Sequence, residues 1–371
     1  ADHECVLDPD HGWNASHQQW NNGACDGFAR VHEREHGAAE AKNVMAYLNR
    51  AMQPASYALA DRYALCQRWF ASVMGPTWPN RYYSLVASSD GGQGNDIMPD
   101  HLDTVYTRLD GGGVHWGEFY GNLPFQMLFP GHSLEQPEYQ KLDTFFDAAQ
   151  SGSLPAFVHL DPIYGSNDDH PPAHPLAGQV LIASIYEALA QSPQWGECLF
   201  VVYYDEHGGF FDHVSPGTTV DERPDFQQLG FRVPALVISP YVKAQVNSTV
   251  FDHTSLIASV LRQHELPPLN GRDDAANDLW GLLDEQLLLD HTPLPPIKLD
   301  PIEADDSVIY APECGGGGIG LHVSPTSAPD IGQPELEAFA NAHPSSKDGR
   351  RDQDLTLAKI MAHARDLGVV R

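Results

Sequence analysis

The chain has 371 residues, of which 50 are acidic and 21 basic, for a net charge of -29. That balance excludes a protein that holds nucleic acid or an anionic membrane by bulk attraction. An anionic ligand then needs local positive charge, from a metal, a helix N-terminus or particular His and Arg side chains. A hydrophobic content of 42% supports a sizeable core, and no apolar run reaches the length of a membrane-spanning helix.

Residues 1–28 mix His, Asn, Asp and Trp with little periodicity and are expected to form a loop that carries function or is held by aromatic anchors. Helical spacing follows over 41–52 and 54–64, the second opened by Pro54. An apolar run from Trp69 to Met74 is broken by Gly75-Pro76, and a helix is expected from Arg81 to Val86. Two prolines around Thr77 stiffen this turn and leave its hydroxyl near a helix N-terminus, as a cap or as a group beside a phosphate-binding dipole. Residues 90–100 read as a loop, 101–109 as a short helix and 114–120 as an alternating strand. An irregular aromatic insertion spans 122–140; a helix over 142–149 and a buried strand over 156–160 follow.

The stretch 161–172 is a loop ending Asp169-His170-Pro171-Pro172, and 176–191 a helix that buries Val180, Ile182, Ile185, Tyr186 and Leu189. It leads to Leu199–Tyr204, an unbroken apolar run expected to be a central strand covered on both faces. The order strand, helix, strand predicts a βαβ unit with parallel pairing. A further strand is expected over 231–239, a helix over 255–264 and a partly helical edge segment over 269–289. From 292 the chain becomes a Pro- and Gly-rich linker, and helical spacing returns over 334–368. The domains predicted are thus 1–291, catalytic, and 292–371, a linker with a docked helical extension. Of five cysteines, Cys5 and Cys25 flank one loop-rich stretch and could bridge or stay free, whereas Cys66 and Cys198 read as buried thiols.

Chemistry concentrates where predicted strands end. Asp205, Glu206 and His207 close the central run, with Asp212 and His213 just beyond, and two adjacent carboxylates favour a divalent cation. With the Thr77 hydroxyl and the His170 imidazole, the set suits phosphoryl transfer through a covalent ester: the hydroxyl attacks, and a histidine protonates the leaving alkoxide. Asn80, one helical turn past Thr77, could donate to a non-bridging oxygen.

Four motifs carry a resemblance: Gly75-Pro76-Thr77-Trp78-Pro79-Asn80-Arg81, Asp169-His170-Pro171-Pro172, Tyr204 to Val214, and Arg232 to Tyr241. In this order they resemble the bacterial phosphoesterase family of phosphatidylcholine-type phospholipases C and respiratory-burst-inhibiting acid phosphatases. The resemblance covers about residues 5–290 and implies an alkaline-phosphatase-like α/β/α sandwich with a mostly parallel central sheet. It implies Thr77 as nucleophile, Asp205 and Glu206 as metal ligands, and Asn80 and His170 on the phosphoryl group. His11 resembles a further phosphate-facing histidine, and His115 is the last candidate. The substrate expected is a phosphate ester or phospholipid, in a periplasmic or secreted protein. The metal is a divalent ion, with Ca²⁺, Mg²⁺, Mn²⁺, Fe and Zn²⁺ all compatible with oxygen and imidazole ligands.

One departure bears on activity. Family members usually begin with a strand and a Glu-Asn-Arg-Ser-Phe-Asp-His type segment whose first two residues complete the metal site, and these 371 residues contain no such segment. The expectation is a fragment starting after it. The competing reading is a catalytically incomplete relative that binds phosphate-bearing ligands without turnover. A sulfatase-type relative is disfavoured, because no cysteine holds the nucleophile position.

Overall fold

The computed structural model describes residues 6–97, 101–129, 131–171, 173–304 and 349–371. In chain order the N-terminal part forms α1 (Trp13–Trp20), α2 (Phe28–His36), α3 (Pro54–Arg62), β1 (Ala64–Cys66), α4 (Thr77–Val86), α5 (Val105–Gly111), β2 (Trp116–Tyr120) and β3 (Tyr139–Lys141). Then come α6 (Asp143–Ser151), β4 (Phe157–Asp161), α7 (Pro175–Ala190), β5 (Phe200–Tyr203), β6 (Ala235–Ile238) and β7 (Gln245–Asn247). The last elements are α8 (Thr254–Gln263), α9 (Gly271–Ala275), α10 (Glu285–Leu289) and α11 (Gly349–Asp366).

The strands form two sheets, ordered β5-β6-β1-β7 and β3-β2-β4. The second is parallel throughout; in the first, β6 runs antiparallel to β5 and β1, and β1 is parallel to β7. Helices lie on both faces: α3, α6, α7 and α11 pack together on one side, and α4, α5 and α8 on the other. Strand β2 shows why this makes an α/β/α sandwich. Phe119 enters the core under the first helical layer, Trp116 and Tyr120 the core under the second, so all five strand residues are buried rather than one face of them.

Helix α7 is buried around nearly its whole circumference, more than the single buried side predicted, because α3, α6 and α11 all pack on it. The C-terminal segment is fastened to α7 and α6: the Leu299 amide donates to Glu187 Oε1 of α7 at 2.9 Å, and Lys359 donates to Asp143 of α6 at 2.8 Å. Of the predicted linker, residues 292–304 are described and pack on the body, with Leu299, Ile302 and Ala304 buried; the glycine run and the start of the region of renewed helical spacing fall outside the described residues.

Three local expectations fail for physical reasons. Residues 13–20 form α1 rather than a loop; it carries no apolar stripe and is held by tertiary contact, with Trp13 against Phe226 at 5.0 Å. The stretch 41–52 gives only turns and one 3₁₀ turn, Asn43–Met45. Strand β5 is half-exposed, and although α7 connects β4 to β5 as predicted, the two do not pair. Cys25, Cys66 and Cys198 are free thiols, so Cys25 is not bridged; Cys5 lies outside the described residues.

Candidate active site

The Trp69–Arg81 segment places a hydroxyl at the first position of α4. Pro76 is extended at φ -75° and ψ -176°, and the helix begins at Thr77, four residues before the sequence pattern suggests. Thr77 is buried at 3% exposure. Asn80 clamps the turn in front of it: its Oδ1 accepts from the Val73 amide at 2.9 Å, and its Nδ2 donates to the Gly75 and Pro76 carbonyls at 3.0 and 3.1 Å. Both amide protons are spent there, so Asn80 positions Thr77 instead of presenting a free donor.

One turn along the same face, Arg81 joins two strand ends. It donates from Nη1 to Asp161 at 2.8 Å and from Nε to Asp205 at 3.1 Å. Thr77 and Arg81 are spaced i,i+4 on one face of α4, about 5–6 Å apart at Cβ, and it is Arg81 that reaches the acid at the end of β5. Burial would raise the Asp161 carboxyl, but Arg81 outweighs it and holds it below the usual range. From behind, His253 donates Nε2–H to the Asp205 carbonyl at 2.6 Å, while its Nδ1 accepts from Trp69 at 3.2 Å. Burial pushes this imidazole down, so it stays neutral in that one tautomer.

The N-terminal segment closes the site from above. Gly208 and Gly209 adopt φ +59° and +73°, and a Cβ on Gly209 would lie 2.6 Å from Pro9 Cβ, so only glycine lets residues 9–11 pass over this turn. His11 is thereby set with Nε2 3.8 Å from Glu206 Oε1, and its ring lies 5.6 Å from that of His170. Burial alone would lower the His11 imidazolium, but Glu206 and Asp8 prevail and raise it to about 9. In turn, burial opposes the Glu206 carboxylate, yet His11, His207 and the Gly208 amide keep it well below the usual range. His11 and His170 both donate Nδ1–H to backbone carbonyls, of Pro9 and Pro171, each at 2.7 Å, which leaves Nε2 of each ring for the site.

Asp8, His11 and His170 offer ligand atoms within 4.8 Å of one another, and Asp8 Oδ1 is buried without a hydrogen-bond partner. With Glu206 alongside, the carboxylates of this group fit an oxygen-ligated divalent cation, and the two imidazoles beside them remain for a phosphoryl group. A second such group, Glu118, His159 and Asp161, lies lower in the fold, where Asp161 is already paired with Arg81.

The predicted residues therefore separate into those gathered and those not. His11, His170 and Glu206 lie together, and Asp205 beside Glu206 is bound by Arg81, one turn past Thr77 on α4. His115 is not among them: it precedes β2, at the amino end of a parallel sheet, five residues below Tyr120, which pairs with Asp161. Asp212 turns away into a bidentate pair with Arg232, both bonds 2.7 Å, and the His213 side chain is exposed. Asp161, Asp8 and His253 were not picked out from the sequence, because their roles depend on partners distant in the chain. Arg81 did lie inside the first of the four motifs, the only local signal.

The family model described as the Phosphoesterase family matches residues 1–267. Non-specific phospholipase C3 of Arabidopsis thaliana is 33% identical over 262 residues, covering 61% of this chain and 50% of that protein. Phospholipase C A of Mycobacterium tuberculosis is 28% identical over 337 residues, covering 75% and 64%. The chain thus spans about half to two thirds of the length of these relatives. Among solved structures, the phosphonate monoester hydrolase of Agrobacterium radiobacter aligns with a TM-score of 0.38 at 13% identity, over 62% of this chain and 72% of that one.

Proposed function

The chain belongs to the phosphoesterase family, and from that premise we propose that its site hydrolyses phosphate esters, phospholipids among them, through an ester on Thr77. The observation that supports this reading is that Arg81 of α4 binds Asp205 while the neighbouring Glu206 meets the His11–His170 pair. Thr77 Oγ attacks phosphorus as the bond to the alcohol oxygen breaks, with the hydroxyl proton passing to water. His11, held as an imidazolium, gives its Nε2 proton to the departing alkoxide. Water then cleaves the phosphothreonine, releasing phosphate, or a phosphomonoester from a diester, and restoring the hydroxyl. At the helix N-terminus the Trp78 amide donates to Asn95 Oδ1 at 3.0 Å and Pro79 has no N–H, which leaves the Thr77 amide for the anion, and Asn80 keeps the Thr77 backbone in place.

Asp205, Glu206 and Asp8 would supply oxygen ligands to a divalent cation. Such an ion, when bound, neutralises the phosphoryl oxygens and favours the ionised hydroxyl. His170 faces the same space and contacts the phosphoryl group.

The test is Thr77→Ala, assayed with a chromogenic phosphomonoester and with phosphatidylcholine. Turnover should fall at least about 1000-fold, and radiolabelled phosphate should no longer be trapped on the protein. Burst release of the alcohol that persists in the variant would refute the nucleophile assignment. One observation favours the competing reading, binding without turnover: Asp205 already has Arg81 as its cationic partner at 3.1 Å. Phosphate protection against thermal unfolding with no hydrolysis of either substrate would select it.

A further inference from the structure

Helix α2 closes on the sequence His32-Glu33-Arg34-Glu35-His36. Histidines four apart share one face of a helix, and this spelling is one by which a helix offers two imidazoles to a zinc ion. The two rings meet: their centres lie 4.6 Å apart, with planes tilted by 51°. With metal–nitrogen bonds of about 2.0–2.1 Å, two imidazoles on one ion have centres about 5 Å apart. The pair thus needs only small side-chain rotations to share an ion.

His32 is 1% exposed, and neither its Nδ1 nor its Nε2 has a hydrogen-bond partner. Buried side-chain nitrogens are nearly always bonded, and two orphaned ones on a single ring mark a place for an ion or a water. No other histidine among the described residues has an unpaired buried ring nitrogen. Burial and then His36 push the His32 imidazole down, against the pull of Glu35 and Glu40, so it is neutral as a metal ligand must be. His36 supplies the complementary feature: its Nε2–H donates to the Asp8 carbonyl at 2.8 Å, which fixes the tautomer and leaves the lone pair on Nδ1. Metal-ligating histidines are commonly held in this way through their other nitrogen. His36 is also the last residue of α2, where the helix dipole favours a cation.

We propose that His32 and His36 hold a transition-metal ion of the Zn²⁺ type, in a structural site separate from the carboxylates of Asp205 and Glu206. Two imidazoles select Zn²⁺, Ni²⁺ or Cu²⁺ over Ca²⁺ and Mg²⁺. Glu35 and Glu40, whose charge acts on His32, serve the remaining positions together with water. Zinc hydrolases carry the same spelling, but a catalytic zinc keeps an open position for substrate, and the enclosure of His32 suits a fastening role instead. What the ion fastens is the segment entering the candidate active site. The Asp8 carbonyl is bound to His36, and the Asp10 amide donates to Glu35 at 3.1 Å, so α2 carries the residues that set His11 against Glu206. An ion on α2 stiffens that approach without touching the substrate.

The experiment uses the full 371-residue chain carrying His11→Gln and His170→Gln, which removes the imidazoles of the other centre. Zn²⁺ binding is measured by isothermal titration calorimetry, and one equivalent of Cu²⁺ is examined by electron paramagnetic resonance. Zn²⁺ should bind one to one without competition from Ca²⁺, the Cu²⁺ spectrum should show two nitrogen ligands, and Zn²⁺ should slow amide exchange over residues 8–12 and α2. Adding His36→Gln should weaken Zn²⁺ at least about tenfold and leave one nitrogen on Cu²⁺. His32→Gln should do the same with circular dichroism unchanged; His36 is only half-buried, so its variant decides the matter should the His32 variant fail to fold. His213→Gln, at an exposed histidine, should alter neither reading. Equal zinc affinity in the His36→Gln and His213→Gln chains overturns the proposal. So does a Cu²⁺ spectrum that keeps both nitrogens without His36, or displacement of Zn²⁺ by an equal concentration of Ca²⁺.

Discussion

Replacing Arg272 by Met tests whether the ground beneath the site is held by buried charge. The guanidinium is 1% exposed and donates to Asp252 at 2.6 and 3.2 Å, to Asp221 at 3.0 Å and to the Ser72 carbonyl at 2.8 Å. Burial works against the Asp252 carboxylate, and Arg272 more than reverses this, holding it below the usual range. Without the arginine, two buried carboxylates lose their cation; removing one partner from a buried pair costs about 3–5 kcal/mol. An unfolding entropy of about 2.1 cal/mol/K per residue makes this a fall in Tm of roughly 4–6 °C for a chain of this length. Differential scanning fluorimetry and urea unfolding measure it. Adding Asp252→Asn to Arg272→Met should return about half the loss, since the excess charge then goes. Activity should fall with stability, because Ser72 also receives the His253 amide at 3.2 Å and His253 holds Asp205. A loss below about 1 kcal/mol, or a double variant no better than the single one, would refute the argument.

Two further perturbations probe other parts of the same structure. Burial, only partly offset by His159, raises the Glu118 carboxyl to about 8. The stability this contributes is complete below the unfolded value near 4.5 and is lost as pH rises through about 8. The ceiling is on the order of 5 kcal/mol. Glu118→Gln should therefore flatten the decline in unfolding free energy between pH 5 and 8; an unchanged slope would count against a neutral, buried Glu118. Gly209→Ala should strain a φ of +73° and push Pro9 away, lifting His11 off Glu206. Turnover should drop at least about tenfold, while Gly217→Ala, with open space around its Cβ, should change nothing; equal effects would remove the geometric role claimed for Gly209.

What the sequence made legible was what short-range chemistry encodes. Apolar runs marked β4, β5 and β6, the sixteen-residue pattern marked α7, and glycine and proline marked the turns at Pro76 and Gly208. Partner choice was not encoded locally. An unbroken apolar run reports that a strand needs cover and says nothing of which strand supplies it, so β5 was expected to pair with β4 and instead borders a cleft. Helix α1 has no stripe to read because its hold on the fold comes from Trp13 and from residues 9–11 crossing Gly209. Asn80 stood out from its spacing to Thr77, yet its amide serves the loop ahead of it.

The net charge carries the argument one step further. Arg81 is taken by Asp161 and Asp205, Arg272 by Asp221 and Asp252, and Arg232 by Asp212. These arginines neutralise acids that the fold has buried and leave little positive charge over for a phosphate. At the proposed site the counter-charge then falls to the His11 imidazolium and the α4 N-terminus. Neither matches a dianion held between Asp205, Glu206 and Asp8, and this is the electrostatic reason for assigning those three carboxylates to a cation.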